Sequence, residues 1–149
     1  MNIADIFTAD RIGLDLKIKD KAHLLRDLAT RAEAAGAGVP MSIILTALIA
    51  REALGSTGLG KGFALPHARL ERITACFGVV VRLARPIDYA AIDGQKVDIA
   101  VLMLTPANAD ADHVTALSLV ARRLREGNTL DRVRRAEGAN SVLRMLMES

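Results

Sequence analysis

The sequence predicts an α/β protein: one domain over residues 1–149, with a central mixed β-sheet sandwiched between helices. Three observations carry that expectation. Apolar residues recur at helical spacing over residues 24–32, 41–49 and 114–124. The stretch from Ile73 to Leu83 alternates with period two instead. Val97 to Leu104 is apolar apart from Asp98, as expected of a strand covered on both faces. Long helices mixed with a few strands in one chain give a layered sandwich.

In chain order, residues 1–19 predict a short helical turn and then a strand near Arg11 to Leu16, where Ile12, Leu14 and Leu16 alternate. Asp20 is a helix N-cap for a run that puts Leu24, Leu25, Leu28, Ala29 and Ala32 on one face. Gly36 and Gly38 stop that helix, and Pro40 suits the first turn of the next. Met41, Ile44, Leu45, Leu48 and Ile49 repeat the amphipathic spacing until Gly55. After the Ile73–Leu83 strand, Pro86 and Asp93-Gly94 mark turns. Pro106 ends the buried strand. A third long helix is expected from Asp110–Asp112 to about Arg125, with Val114, Leu117, Val120, Ala121 and Leu124 facing inward. Shorter helices follow near Thr129–Arg135 and Ser141–Met147.

Composition narrows the function. Hydrophobic residues make up 51% of the chain and charged residues 25%, which excludes a disordered class. The chain carries 20 basic against 17 acidic residues, net +3, too mild to imply nucleic-acid binding. Aromatic residues are 3% and Trp is absent, which argues against base stacking. The one cysteine, Cys76, excludes an internal disulfide and fits a reducing compartment. The N-terminus lacks a signal-peptide pattern, and no apolar run nears the ~18 residues of a membrane span. A cytoplasmic protein without membrane insertion is expected.

The densest local signal is Gly55-Ser-Thr-Gly-Leu-Gly-Lys-Gly-Phe-Ala-Leu-Pro-His67. Gly55 to Lys61 matches G-x-x-x-x-G-K, but Gly62 stands where a magnesium-binding Ser or Thr belongs. A helix also precedes the stretch where a strand should. A nucleotide loop is therefore rejected. Pro66 stiffens the approach to His67, leaving its ring as nucleophile, ligand or structural histidine. His23, His67 and His113 lack metal-ligand spacing, so no metal is expected. His23 reads as an ordinary helix residue. His113 falls in a helix first turn after a buried strand, where open α/β sheets place ligands. Arg51, before Glu52, is either solvated charge or a guanidinium aimed at an anion. The arginines at 122, 123, 125, 132, 134 and 135, diluted by Glu126, Asp131 and Glu137, read as a solvated face.

Taken together, these segments resemble the IIA component of the phosphoenolpyruvate-dependent phosphotransferase system, type 2 (fructose, mannitol or nitrogen-regulatory). Arg51-Glu52, Ser56 to His67, Pro86-Ile-Asp-Tyr89, Val97 to Pro106, and His113 before Leu117-Ser-Leu-Val-Ala-Arg-Arg-Leu124 carry the likeness. The resemblance implies that His67 accepts a phosphoryl group from HPr or its nitrogen-branch counterpart and passes it to a IIB partner or uses it as a switch. It also implies that Arg51 contacts the phosphoryl group electrostatically and that His113 is a second active-site histidine. No cofactor is implied. Ala68 and Arg69 stand where many relatives have glycine and lysine. Gly55-Ser-Thr-Gly is nearer the nitrogen-regulatory members. A sugar-transport IIA and a non-catalytic binding module are the alternatives.

Overall fold

A computed structural model describes residues 2–148. Strand β6 (Val97–Pro106) is its axis. Ile99, Val101 and Met103 face one core, and Ala100, Leu102 and Leu104 face the other. Both faces being covered is why the run is apolar throughout. Strand β5 (Phe77–Ile87) pairs antiparallel with β6, and β1 (Ile12–Leu16) lies parallel to β5. On the other side of β6, β3 (Phe63–Ala64) and β4 (His67–Leu70) run parallel to it in succession. Strand β2 (Gly58–Gly60) adds antiparallel to β3. The sheet is six-stranded and mixed.

Helices α1 (Lys21–Ala34) and α2 (Met41–Ala53) cover one face; α3 (Asp110–Arg125), α4 (Thr129–Arg135) and α5 (Ala139–Met147) cover the other. The Asp20 carboxylate caps α1 by accepting from the His23 N–H at 2.9 Å. Leu24, Leu25, Leu28, Ala29 and Ala32 are all buried, as their spacing predicts. Gly36 and Gly38 turn the chain with φ of 92° and 79°. None of the described helices is long and apolar enough to cross a membrane.

Four details differ from the sequence expectation. In α2 only Ile44 and Leu48 are buried, and Ile49 is 55% exposed. In α3 the buried line is Ala116, Val120 and Leu124, with Val114 61% exposed. Val114 sits roughly 200° around the helix from Ala116. Strand β5 starts at Phe77, not Ile73, and continues through Pro86, because its register with β6 breaks between Arg82 and Ile87. There the missing proline donor forfeits no ladder bond. Finally, Asp15 adopts φ 56° at a register break in β1. Leu16 consequently packs towards α1 and α2, while Ile12 and Leu14 pack on the opposite face. The Arg82 guanidinium fixes this kink with two bonds of 3.0 Å to the Asp15 carboxylate.

Candidate functional site

The glycine-rich stretch forms a hairpin that delivers the chain into β4. Lys61 and Gly62, at φ 56° and 87°, make its turn, the left-handed pair that a tight two-residue hairpin requires. Arg134 clamps this turn, donating to the Lys61 carbonyl at 2.6 Å and to Asp98 at 2.9 Å. At Gly58 a Cβ would lie 2.8 Å from the Ala91 Cα, so glycine allows residues 89–91 to pack against β2. Leu65-Pro66 then leads into His67, paired opposite Met103 of β6.

His67 is half-buried, and both its nitrogens are engaged. Nδ1 lies 2.8 Å from the Leu65 carbonyl, which can only accept, so Nδ1 carries the hydrogen. The Nε2 lone pair receives a hydrogen bond from Arg51 Nε at 3.2 Å. Arg51 Nη1 donates to the Gly55 carbonyl at 2.9 Å, tying the guanidinium to the end of its own helix. His113, from the first turn of α3, brings its ring centroid to 5.6 Å from that of His67, tilted by 54°. The flanking of β6 by β4 and α3 thus closes the two histidines' sequence separation of 46. His113 Nδ1 lies 2.6 Å from Oγ1 of the buried Thr105.

Electrostatics keep both rings neutral near pH 7. Burial chiefly lowers the His67 pKa, and the Arg51 charge adds to the effect against opposition from the Leu65 carbonyl and Glu52. Burial likewise lowers His113, helped by its proximity to His67 and Arg69. Arg69 also pairs with Asp110 and donates to the Ala107 carbonyl at 2.7 Å, which pins the start of α3 against β4.

All three sequence-singled residues, Arg51, His67 and His113, therefore converge. His23 does not; it stays in the first turn of α1, accepting from the Lys19 N–H. Sequence reasoning missed the layer behind Arg51. The Glu52 side chain is only 7% exposed. It accepts from the Thr57 N–H at 3.1 Å, the Tyr89 hydroxyl at 2.8 Å and the Thr57 hydroxyl, and pairs with Lys21 at 3.1 Å. Burial alone would raise this carboxyl, but the Thr57, Tyr89 and Lys21 donors together hold it below the ordinary glutamate value. Burial drives the Tyr89 hydroxyl far up, so it remains a donor. No local sequence pattern marks this layer, because Thr57 and Tyr89 stand 32 residues apart.

His67 opens onto a groove of about 1050 Å³ between Leu59 and Leu65 on one side and Val114, Leu117 and Ser118 of α3 on the other. The exposed Val114 forms part of its wall.

A neutral imidazole whose Nε2 accepts from a guanidinium, with a second histidine beside it, thus stands on a mixed sheet. The fold that carries this arrangement is shared by solved structures. A crystal structure of the nitrogen regulatory protein IIA-Ntr from Neisseria meningitidis superposes with a TM-score of 0.91 at 29% identity, covering 97% of this chain and 98% of that one. Enzyme IIA for mannitol from Escherichia coli, solved in complex with phosphorylated enzyme IIB, shares the fold at a TM-score of 0.80 and 19% identity, covering 94% and 96%. A nitrogen regulatory protein of Bradyrhizobium diazoefficiens is 37% identical over 146 residues, 98% of this chain and 95% of the relative. Residues 5–149 match the family model of the phosphoenolpyruvate-dependent sugar phosphotransferase system, EIIA 2. The chain belongs to that family.

Proposed function

We propose that residues 1–149 act as one phosphocarrier domain in which His67 Nε2 takes and returns a phosphoryl group. The observation that carries this reading is the tautomer: the Leu65 carbonyl holds the proton on Nδ1, leaving Nε2 nucleophilic. In acceptance, the Nε2 lone pair attacks phosphorus of a phosphohistidine donor of the HPr class. The new P–N bond forms as the donor's P–N bond breaks, and the donor imidazole leaves with the electron pair and takes a proton from solvent. Such a transfer needs alignment and neutralisation of the phosphoryl oxygens more than covalent help.

Arg51 supplies that neutralisation. Its Nε first covers the lone pair and must move off it, and phosphoryl oxygens are stronger acceptors than a neutral imidazole. In the tautomer in which Thr105 donates to His113 Nδ1, Nε2–H of His113 is free to donate to the phosphoryl group. Onward transfer to a IIB-type acceptor reverses the bond changes, with His67 as the leaving imidazole.

Regulation is favoured over sugar delivery by the 37% identity to a nitrogen regulatory protein over nearly the whole chain. A phosphoryl group on His67 adds negative charge beside the groove, so partners bind the two forms differently. The test is incubation with phosphoenolpyruvate, enzyme I and HPr or its nitrogen-branch counterpart, followed by intact mass. Gain of one acid-labile phosphoryl group, absent in His67→Ala, is expected. No gain with either carrier overturns the reading. Rapid transfer from the phosphorylated protein to a sugar-specific IIB would move it to transport.

A further inference from the structure

A second cavity, of about 480 Å³, is walled by Lys17, Ile18, Lys19, His23, Ala84 and Arg85. We infer that it binds a small organic phosphate, with the phosphate on the cationic rim and an apolar body against Ile18 and Ala84. This inference does not depend on the phosphocarrier reading.

The cavity exists because two strands break register side by side. The β1–β5 ladder shifts between Gly13 and Leu16, and the β5–β6 ladder shifts between Arg82 and Ile87. Such irregularities re-aim side chains and let strands part. Ala84 and Arg85 turn outward there, alongside the segment that links β1 to α1.

Its chemistry is one-sided. Lys17, Lys19 and Arg85 carry positive charge, and no acidic residue lines the wall. Among the described residues, none of these three cations is in an ion pair. Asp20, the nearest acid in sequence, is committed to capping α1. His23 Nδ1 accepts from the Lys19 N–H at 3.0 Å, so the ring hydrogen of the neutral form lies on Nε2 and is a donor. The side chains thus offer three cations and an N–H without an acceptor, which matches a dianion. Arginine's planar fork suits phosphate oxygens in particular. The volume falls within the ~300–1,000 Å³ of small-molecule sites.

The site is separate from His67. Gly78 of β5 and His67 of β4 are both level with Met103, whereas Arg85 lies seven residues farther along β5. That is on the order of 20 Å of strand. A phosphate bound here is therefore not the group being transferred.

The test is an amide NMR titration of the full chain with phenyl phosphate and with inorganic phosphate as probes. Saturable shifts at residues 17–23 and 84–85, with a Kd below about 1 mM for phenyl phosphate and weaker for inorganic phosphate, are expected. The double variant Lys17→Glu/Arg85→Glu, checked for an unchanged circular dichroism spectrum, should lose at least about tenfold in affinity. His67→Ala should bind as the parent does. The inference is overturned if no shift saturates below about 10 mM. Shifts that gather at Arg51, His67 and His113, or binding that survives the double charge reversal, overturn it as well.

Discussion

Replacing Glu52 with alanine should cost about 3 kcal/mol, although it removes no group that would touch the phosphoryl. The carboxylate collects the Thr57 N–H, the hydroxyls of Thr57 and Tyr89, and the Lys21 ammonium. Truncation does not orphan them equally. The Thr57 and Tyr89 hydroxyls remain 3.0 Å apart and can still pair with each other. Lys21, with 27% of its side chain exposed, recovers water, so its share falls to that of a partly screened pair, about 1 kcal/mol or less. The Thr57 N–H is left short in a residue only 1% exposed, at about 1–3 kcal/mol. The sum sits at the lower end of the ~3–5 kcal/mol found when one member of a buried pair is removed. For a chain of this size it corresponds to a fall of roughly 6–12 °C in Tm.

Urea and thermal denaturation of the parent, Glu52→Ala and Glu52→Gln would measure this. The glutamine variant keeps the volume but turns an amide donor towards donors, and should lose about 2 kcal/mol. Sign matters for the pH dependence. The folded pKa of Glu52 lies below its ordinary value of 4.5, so its stabilisation is full above that value and is lost as pH falls through the folded pKa. The gap between parent and Glu52→Gln should therefore close below pH 4.5. An alanine variant within about 0.5 kcal/mol of the parent would return Glu52 to solvated surface charge. A gap that widens as pH falls below 4.5 would refute the linkage argument.

Arg51→Ala should slow acceptance from the phosphorylated carrier by about 2 kcal/mol, roughly thirtyfold, in a quenched-flow assay. An unchanged rate would reduce Arg51 to surface charge. His113→Gln should still be phosphorylated but pass the group on more slowly, and wild-type rates in both directions would remove His113 from the chemistry. In a histidine NMR titration, His67 and His113 should both titrate below 6.5, because the fold favours their neutral forms. Their contribution to stability is then full above pH 6.5 and declines as pH falls below it; a midpoint above 6.5 for either ring contradicts the assignment. Arg82→Met should lose about 2–3 kcal/mol in urea, since the buried guanidinium also serves the Val133 and Ala136 carbonyls at 2.9 and 2.7 Å.

The fold was legible where one periodicity dominated. Every buried residue of α1 could be named from spacing, and β6 announced itself by being apolar on both faces. Reading failed where the chain departs from a uniform period. The twist of α3 towards Ala116, the smallest residue on its line, cannot be seen from a stripe that also contains Val114 and Leu117. The break at Asp15 depends on Arg82, 67 residues away, and no local pattern encodes that pairing. The hairpin was hidden because Gly58 to Ala64 holds only two short strands, whose pairing is settled by β6 and by Arg134.

For the site, the three groups nearest the proposed chemistry were readable, but what holds them was not. Arg51-Glu52 left solvated charge and a guanidinium aimed at an anion both open, and adjacent residues on a helix do not face each other. They diverge by about 100°, so each must find partners elsewhere. At the end of α2, Arg51 turns to Gly55 and His67, while Glu52 turns to Thr57, Tyr89 and Lys21. The two side chains therefore divide the work: one reaches the imidazole, and the other binds the chain that leads to it. A glycine-rich segment has little packing of its own to fix its position. The Glu52 carboxylate supplies that fixing at Thr57, ten residues before His67, and so makes the position of the ring a property of α2 as much as of the hairpin.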